Sequence, residues 1–329
     1  MTNLLPLIRN ECTKIIKKKR FYVILLILLV LVPMFTYAQM RIAERSRDKF
    51  NSDWRLEVQQ RITDNQNSLG SDRIPEEWKS YRRIFVQQLQ YYLDHDVNPD
   101  EPSGVTFTRD FLDNSVSLFI PLLIMAVASD LVSGERTTGT IKMLLTRPVK
   151  RWKVLFSKLA ALLMFVSLIV LSVFVISYLI SGLAFGYKGF NLPIFTGFQI
   201  SGDTVDMTTV HSVPQWKYLL MQGGLIWFVS VVVALLAFMV SVLVRSTAAS
   251  IVVMMAALIA GTILTNMAAA WTTAKYLFMV NLGLTGYLAG TPAPIEGMTL
   301  PFSMAVLAVW GIAAIIISFA VFTKRDILN

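Results

Sequence analysis

The residues able to do chemistry are few, and their spacing argues against a catalyst. His95 and His211 both fall in polar loops, and Cys12 is the only cysteine in 329 residues. With no His-Glu-x-x-His pair and no Gly-x-Ser-x-Gly elbow, neither zinc hydrolysis nor acyl transfer is indicated. Gly134 and Gly139 have the spacing of a phosphate-binding loop, but Thr140 stands where the phosphate lysine must be. Asp94, Asp96 and Asn98 imitate the first ligands of a calcium loop, yet Pro99 takes the glycine position and Val105 the terminal glutamate position, which leaves a solvated acidic turn. Asp130 is the one acid inside a long apolar stretch, and an acid there is a functional candidate by default. Close to the end of that stretch, it can instead reach water or pair with Arg136. Gln222, Thr262, Thr265 and Asn266 are uncharged polar groups in other apolar stretches, able to line a pathway or simply to join helices at about 1 kcal/mol per bond. The expectation is a chain that is not an enzyme and binds no metal or cofactor.

The elements that must carry these residues follow from composition. Hydrophobic residues make up 55% and charged residues 16% of the chain, against about 25% charged in soluble domains. The solvent of such a chain is lipid. A bilayer core about 30 Å thick needs about 20 helical residues. Stretches of that kind predict an all-α membrane protein with six spans, at 21–38, 114–133, 155–186, 216–244, 247–271 and 301–323. A basic leader and an apolar stretch ended by Pro33 also fit a cleavable signal peptide. Residues 1–20, however, read as an amphipathic interfacial helix, with Leu4, Leu7, Ile8, Ile15 and Ile16 among Arg9, Lys14 and Lys17 to Arg20. Between the first two spans, residues 39–113 predict a small helical extracellular domain. Phe50, Trp54 and Val58 recur on one helix (41–62), and Trp78, Tyr81, Phe85, Leu89 and Tyr92 on another (76–93). Two helices that merely prolong the neighbouring spans are the alternative. Residues 187–215 form an extracellular loop, 245–246 a cytoplasmic turn and 324–329 a cytoplasmic tail. The segment 272–300 is extracellular or re-entrant, because Gly283, Gly286, Gly290, Pro292 and Pro294 deny it a continuous lipid-facing helix.

Orientation comes from the basic residues. The formal charge is +9, but sixteen Lys and Arg against four acids fall in the leader, the 134–154 segment, the 245 turn, the tail and the span ends beside them. The rest of the chain has fourteen basic and seventeen acidic residues. By the positive-inside rule both termini are cytoplasmic, in a multi-pass protein of the cell membrane. A seventh crossing would put Lys324 and Arg325 on the wrong side. Positive charge distributed in this way marks orientation and needs no nucleic acid to explain it.

Residues 134–154 are the most informative segment. Ile141, Leu144 and Leu145 share one face of a short helix, Glu135 precedes it and Pro148 stops it. Attraction to anionic lipid explains the basic residues but not the glutamate or the threonine-glycine pattern. Glu135, Gly139, Thr140, Leu144, Leu145, Pro148 and Arg151, with Lys158 opening the next span, resemble the Glu-x-x-x-Gly-Thr, Leu-Leu, Pro and Arg pattern of ABC-2 type transporter permeases. Glu11 and Lys14 before a basic cluster, and the ending Phe322 to Ile327, agree with that resemblance. The large first loop is closest to the bacterial sodium-efflux and antibiotic-resistance branch.

That resemblance implies a permease subunit of an ATP-binding-cassette exporter. Two copies of a separate ATPase would hold ATP and Mg, and a second permease, identical or paralogous, would complete the transporter. Residues 134–154 would be the coupling helix region docked on the ATPase, with Glu135, Arg136, Gly139, Thr140, Ile141, Leu144, Leu145, Arg147 and Arg151 in contact. Glu11, Lys14 and Arg245 would be secondary contacts. A cargo of amphiphilic kind, such as a peptide antibiotic or a lipid, suits spans so poor in charge. The alternative function is a membrane sensor or assembly factor whose extracellular domain binds a ligand.

Overall fold

A computed structural model describes residues 4–70, 74–140, 149–267 and 271–324 of the chain. The chain is mostly helical. Helix α1 (Leu4–Lys17) turns into α2 (Arg20–Phe50) at Lys19, whose φ of 57° is left-handed. α2 passes through Pro33 and stops only at Asn51 and Ser52, both at positive φ. The expected helix at 41–62 is therefore divided: its first part prolongs the first span, and its second is α3 (Trp54–Leu69), opened by the Asp53 carboxylate accepting from Arg55 N at 3.0 Å. α4 (Glu76–Asp94) follows Pro75 as the sequence predicts.

α3 and α4 pack as a hairpin with a small core of their own, Val58, Ile62 and Leu89 against Trp54, Phe85, Val86 and Leu93. The second half of α2 reaches well into the same region. The loop after the third span is not irregular. Its strands β1 (Pro193–Thr196) and β4 (His211–Pro214) pair antiparallel, and so do β2 (Gln199–Ser201) and β3 (Thr204–Asp206). This pair of hairpins adds a little β structure to the expected helices. It is joined to α4 by Tyr92, Phe195 and Phe198, and by Tyr92 Oη accepting from Phe195 N at 3.2 Å. Burial pushes the Tyr92 phenol up to about 12.

Where the second span is expected, the structure has a bent pair of helices. α5 (Gly104–Ser115), capped by Ser103 Oγ, and α6 (Phe119–Ala128), which leads into α7 (Ser133–Thr137), bend by 64° at Val116 to Leu118. The helix thus starts ten residues earlier than the apolar pattern indicates, since Arg109, Asp110 and Asp113 in α5 conceal it. The remaining long apolar helices are α8 (Arg151–Phe185), α9 (Gln215–Leu243), α10 (Thr247–Met267) and α12 (Leu300–Lys324). Among the described residues, five helices are long and apolar enough to cross a membrane, and the bent pair makes up to six. α9 is central, with 67% of its apolar window buried, whereas α2, α10 and α12 have 22–28% buried and turn Leu26, Val253 and Ile316 outward. Outward leucine, valine and isoleucine on long helices are what a lipid-facing rim requires.

Between α10 and α12 the chain forms two 3-10 turns, Thr272–Tyr276 and Phe278–Asn281, and the short α11 (Gly286–Ala289). Phe278, Asn281, Leu282, Leu284 and Thr285 are buried, so this segment fills space among the helices and does not form another span.

Candidate functional site

One end of the molecule collects the basic segments. Glu11 of α1, Glu135 of α7 and Lys158 of α8 meet in a buried ion network. Lys158 Nζ, fully buried, lies 2.8 Å from Glu11 Oε2 and 2.7 Å from Glu135 Oε1. Lys14 Nζ completes it at 2.7 Å from Glu11 Oε1 and 2.8 Å from Glu135 Oε1. Two cations and two anions balance, which is what makes a charge tolerable there. Burial works against the Lys14 ammonium, but its bonds to Glu11 and Glu135 outweigh that and raise its pKa.

A second cluster lies beside the first. Asp130 pairs with Lys18 at 2.6 Å and with Arg20 at 3.1 Å, and accepts from Thr247 Oγ1 at 3.0 Å. Its partners are thus the basic leader and the start of α10, and not Arg136. Gly134 is needed here for space, because a Cβ would overlap the Asp130 carboxylate. Ser241 Oγ accepts from Val132 N and Ser133 N at 3.1 and 3.0 Å. Arg136 Nη1 donates to the Val242 carbonyl at 2.7 Å and Thr137 Oγ1 to that of Arg245 at 3.4 Å. At the far corner Arg151 Nη1 reaches the Thr323 carbonyl at 3.5 Å.

The expected docking residues therefore separate into two groups. Glu11, Lys14 and Glu135 are brought together, but the two carboxylates are buried and engaged within the chain. They hold α1, α7 and α8 in register, Glu135 through Oε1 while its Oε2 is buried without a hydrogen bond among the described residues. Gly139, Thr140 and Arg245 are exposed on the same end. Gly139 has φ 71°, a conformation that favours glycine, with nothing near a would-be Cβ. Ile141, Leu144, Leu145 and Arg147 lie outside the described residues. Lys158, central to the network, stands in the sequence only as the residue opening a span, and its position at that boundary is the one signal that could have marked it.

The opposite end holds a cavity of about 590 Å³, bounded by α4, the bend after α5, the end of α10, the 278–294 segment and the start of α12. Thr262, Thr265 and Asn266 line it, as their place on one apolar helix allowed. Their donors are satisfied by their own helix, Thr262 by Ile259 O, Thr265 by Gly261 O and Asn266 by Thr262 O, each at 2.8 Å. Gln222 is not part of this wall. It is fully buried in α9 and donates to the Arg109 carbonyl at 3.0 Å, joining α9 to α5. Asp113 and Asn281 also line the cavity and were not singled out by sequence, since Asp113 lies just before the uncharged stretch and Asn281 among glycines and prolines.

Residues 77–328 match the family described as "Protein of unknown function (DUF2705)". The chain belongs to the DUF2705 family. Over 328 residues, 99% of this chain and the whole of the relative, it is 29% identical to "Uncharacterized protein YhcI" of Bacillus subtilis (strain 168). Over 215 residues, 65% of this chain and 80% of the relative, it is 28% identical to "Uncharacterized membrane protein YdbK" of the same organism. The DUF2705 match begins at α4, so it contains Glu135, Lys158 and the cavity but not Glu11 or Lys14. With its apolar helices and a relative named as a membrane protein, this DUF2705 chain is a membrane protein.

Proposed function

We propose that the chain is the permease subunit of an ATP-binding-cassette exporter, with six spans, both termini cytoplasmic and ATP hydrolysis on a separate subunit present in two copies. One observation carries the reading: α1, the 133–140 segment and the 244–246 turn, which the ABC-2 resemblance assigns to ATPase contact, are tied together at one end by Glu11, Glu135, Lys158, Ser241 and Asp130. A push on Thr140 or Arg245 would thus pass directly to α8, α9 and α10. Glu135 is in this reading the residue that fixes the docking segment to the spans, and exposed Thr140 and Arg245 stand at the partner surface. A second permease would meet this one along the outward apolar faces. The cargo class in this reading is amphiphilic.

The test is purification of the tagged chain from native membranes, followed by mass spectrometry. An ATPase subunit in equal number to the permease chains is expected, and Leu145→Asp and Arg245→Glu should insert normally while losing most of it. A chain that purifies without any nucleotide-binding subunit would overturn the reading in favour of a sensor.

A further inference from the structure

In the basic segments, every described acid is buried and every exposed charge is positive. Glu11, Asp130 and Glu135 are each 6% exposed or less, and they are paired with Lys14, Lys158, Lys18 and Arg20 inside the fold. Asp326, the remaining acid of these segments, lies outside the described residues. On the surface stand Arg9, Lys17, Lys18 and Lys19 of α1 and its turn into α2, with Lys150, Arg245 and Lys324 on other elements. Lys18 reaches Asp130, but the side chains of Arg9, Lys17 and Lys19 meet no acceptor and no carboxylate among the described residues. The ion network thus consumes the local acids and leaves a row of cations along α1 without anions of its own.

The position of α1 decides which anion fits. It packs on α8 through Glu11 and Ile15. That leaves Leu5, Arg9 and Ile16, spaced by four and seven residues, on one outward stripe, with Leu5 80% exposed. Lys17 to Lys19 come directly before the point at which α2 turns Tyr22, Val23 and Leu26 outward. On α8, the helix that α1 packs against, Trp152 and Phe156 are exposed in the first turns. Tyrosine and tryptophan at the ends of outward apolar helices mark the level of lipid headgroups. Leucine and isoleucine among basic side chains, whose stems can lie along apolar surface with the charge held in water, suit the boundary between headgroups and acyl chains. A soluble acidic protein would answer the charges, but not an apolar stripe that runs on into the outward face of α2.

We propose that the outward face of α1, with the Lys17 to Lys19 turn, is a docking surface for anionic phospholipid. Lipid phosphates gather at Arg9, Lys17 and Lys19, and Leu5 and Ile16 enter the acyl boundary beside α2. The buried network has a second consequence in this arrangement, since it seats α1 on α8 and keeps every nearby carboxylate from competing with the lipid. The surface is defined by this chain alone and does not rest on the exporter reading.

The experiment uses the full chain in a Cys12→Ser background, labelled with bimane at Leu5→Cys and placed without any ATPase in nanodiscs of equal parts phosphatidylglycerol and phosphatidylcholine. Bromine is carried on the acyl chains of one lipid at a time, and quenching of the bimane reports which lipid lies against α1. Brominated phosphatidylglycerol should quench about twice as strongly or more, because each cation near the surface favours anionic lipid several-fold. The difference should vanish in about 1 M salt, where the screening length falls to about 3 Å. Arg9→Gln/Lys17→Gln/Lys19→Gln leaves Glu11, Lys14 and Lys158 in place, so it should melt like the parent chain and be quenched equally by both lipids. Arg245→Gln/Lys324→Gln should keep the preference for phosphatidylglycerol. Equal quenching in the parent chain overturns the proposal and leaves these cations to a protein partner, and absence of quenching by either lipid overturns it as well. So does a preference that survives in the triple variant or, should that variant fail to fold, one that survives in the parent chain in about 1 M salt. Loss of the exporter reading would register differently, as absence of an ATPase from the purification with the lipid preference intact.

Discussion

Lys158 is the residue whose loss should be felt most. Its ammonium is the only cation of the network with no access to solvent, and it lies between two carboxylates, Glu11 and Glu135. Lys158→Met leaves Lys14 alone with both, and breaking a buried pair in this way costs about 3–5 kcal/mol. The purified chain should melt at clearly lower temperature, and Lys158→Met/Glu135→Gln, which restores the balance between Glu11 and Lys14, should recover part of the loss. Equal melting of Lys158→Met and wild type would mean that the network does not hold α1. The sign of the pH effect at Lys14 follows from its raised pKa: its contribution is fully present below the ordinary value of 10.5 and is lost only as pH rises through the higher folded value. Seating of α1 should accordingly not weaken on account of Lys14 from neutral pH up to 10.5.

Among the elements, α5 and α8 are a pair that depends on close approach. A Cβ on Gly104 would stand 3.0 Å from the Gly182 backbone and 3.1 Å from the Gly186 carbonyl. The Gly104 carbonyl accepts from Ser181 Oγ at 3.0 Å, and its N–H donates to Gly186 O at 3.1 Å. Small residues at such a crossing let backbones pack, which is how helices associate when lipid removes the hydrophobic drive. Gly104→Val should therefore separate the helices at a cost of about 1–3 kcal/mol. A lower melting temperature is the expected readout, with Gly224→Ala unchanged, since nothing stands within 4 Å of its Cβ position. The bend at Val116 to Leu118 belongs to this scale too. It brings Asp113, Val116 and Ser117 to the cavity wall.

For the whole molecule, the two ends differ in chemistry. α1, the start of α8, the 244–246 turn and the end of α12 bring the basic residues to one end, and α3, α4 and the β hairpins build the other. In a Cys12→Ser background, Asp64→Cys should react with a membrane-impermeant maleimide added to intact cells, whereas Lys150→Cys and Lys324→Cys should react only after permeabilisation. Labelling of both Asp64→Cys and Lys324→Cys from outside would require an odd number of crossings and would reject the six-span arrangement.

Much of this architecture was legible in the chain itself. Span positions and charge segregation follow from a property that each residue carries alone, the cost of placing charge in hydrocarbon, so a one-dimensional reading finds α8, α9, α10 and α12 nearly to their ends. α5 escaped that reading because Arg109, Asp110 and Asp113 interrupt its apolar pattern, and only the fold buries Arg109 against Asp110 and the Pro99 carbonyl. The same holds for partners. Asp130 had a nearby basic residue, Arg136, but its actual cations, Lys18 and Arg20, are more than a hundred positions away, and Glu11 meets Lys158 across 147 positions. By itself the sequence determined that this is a membrane chain with one basic side. Which charges neutralise each other, and which side chains line the cavity, only the tertiary structure decided, because pairing depends on distances that packing alone sets.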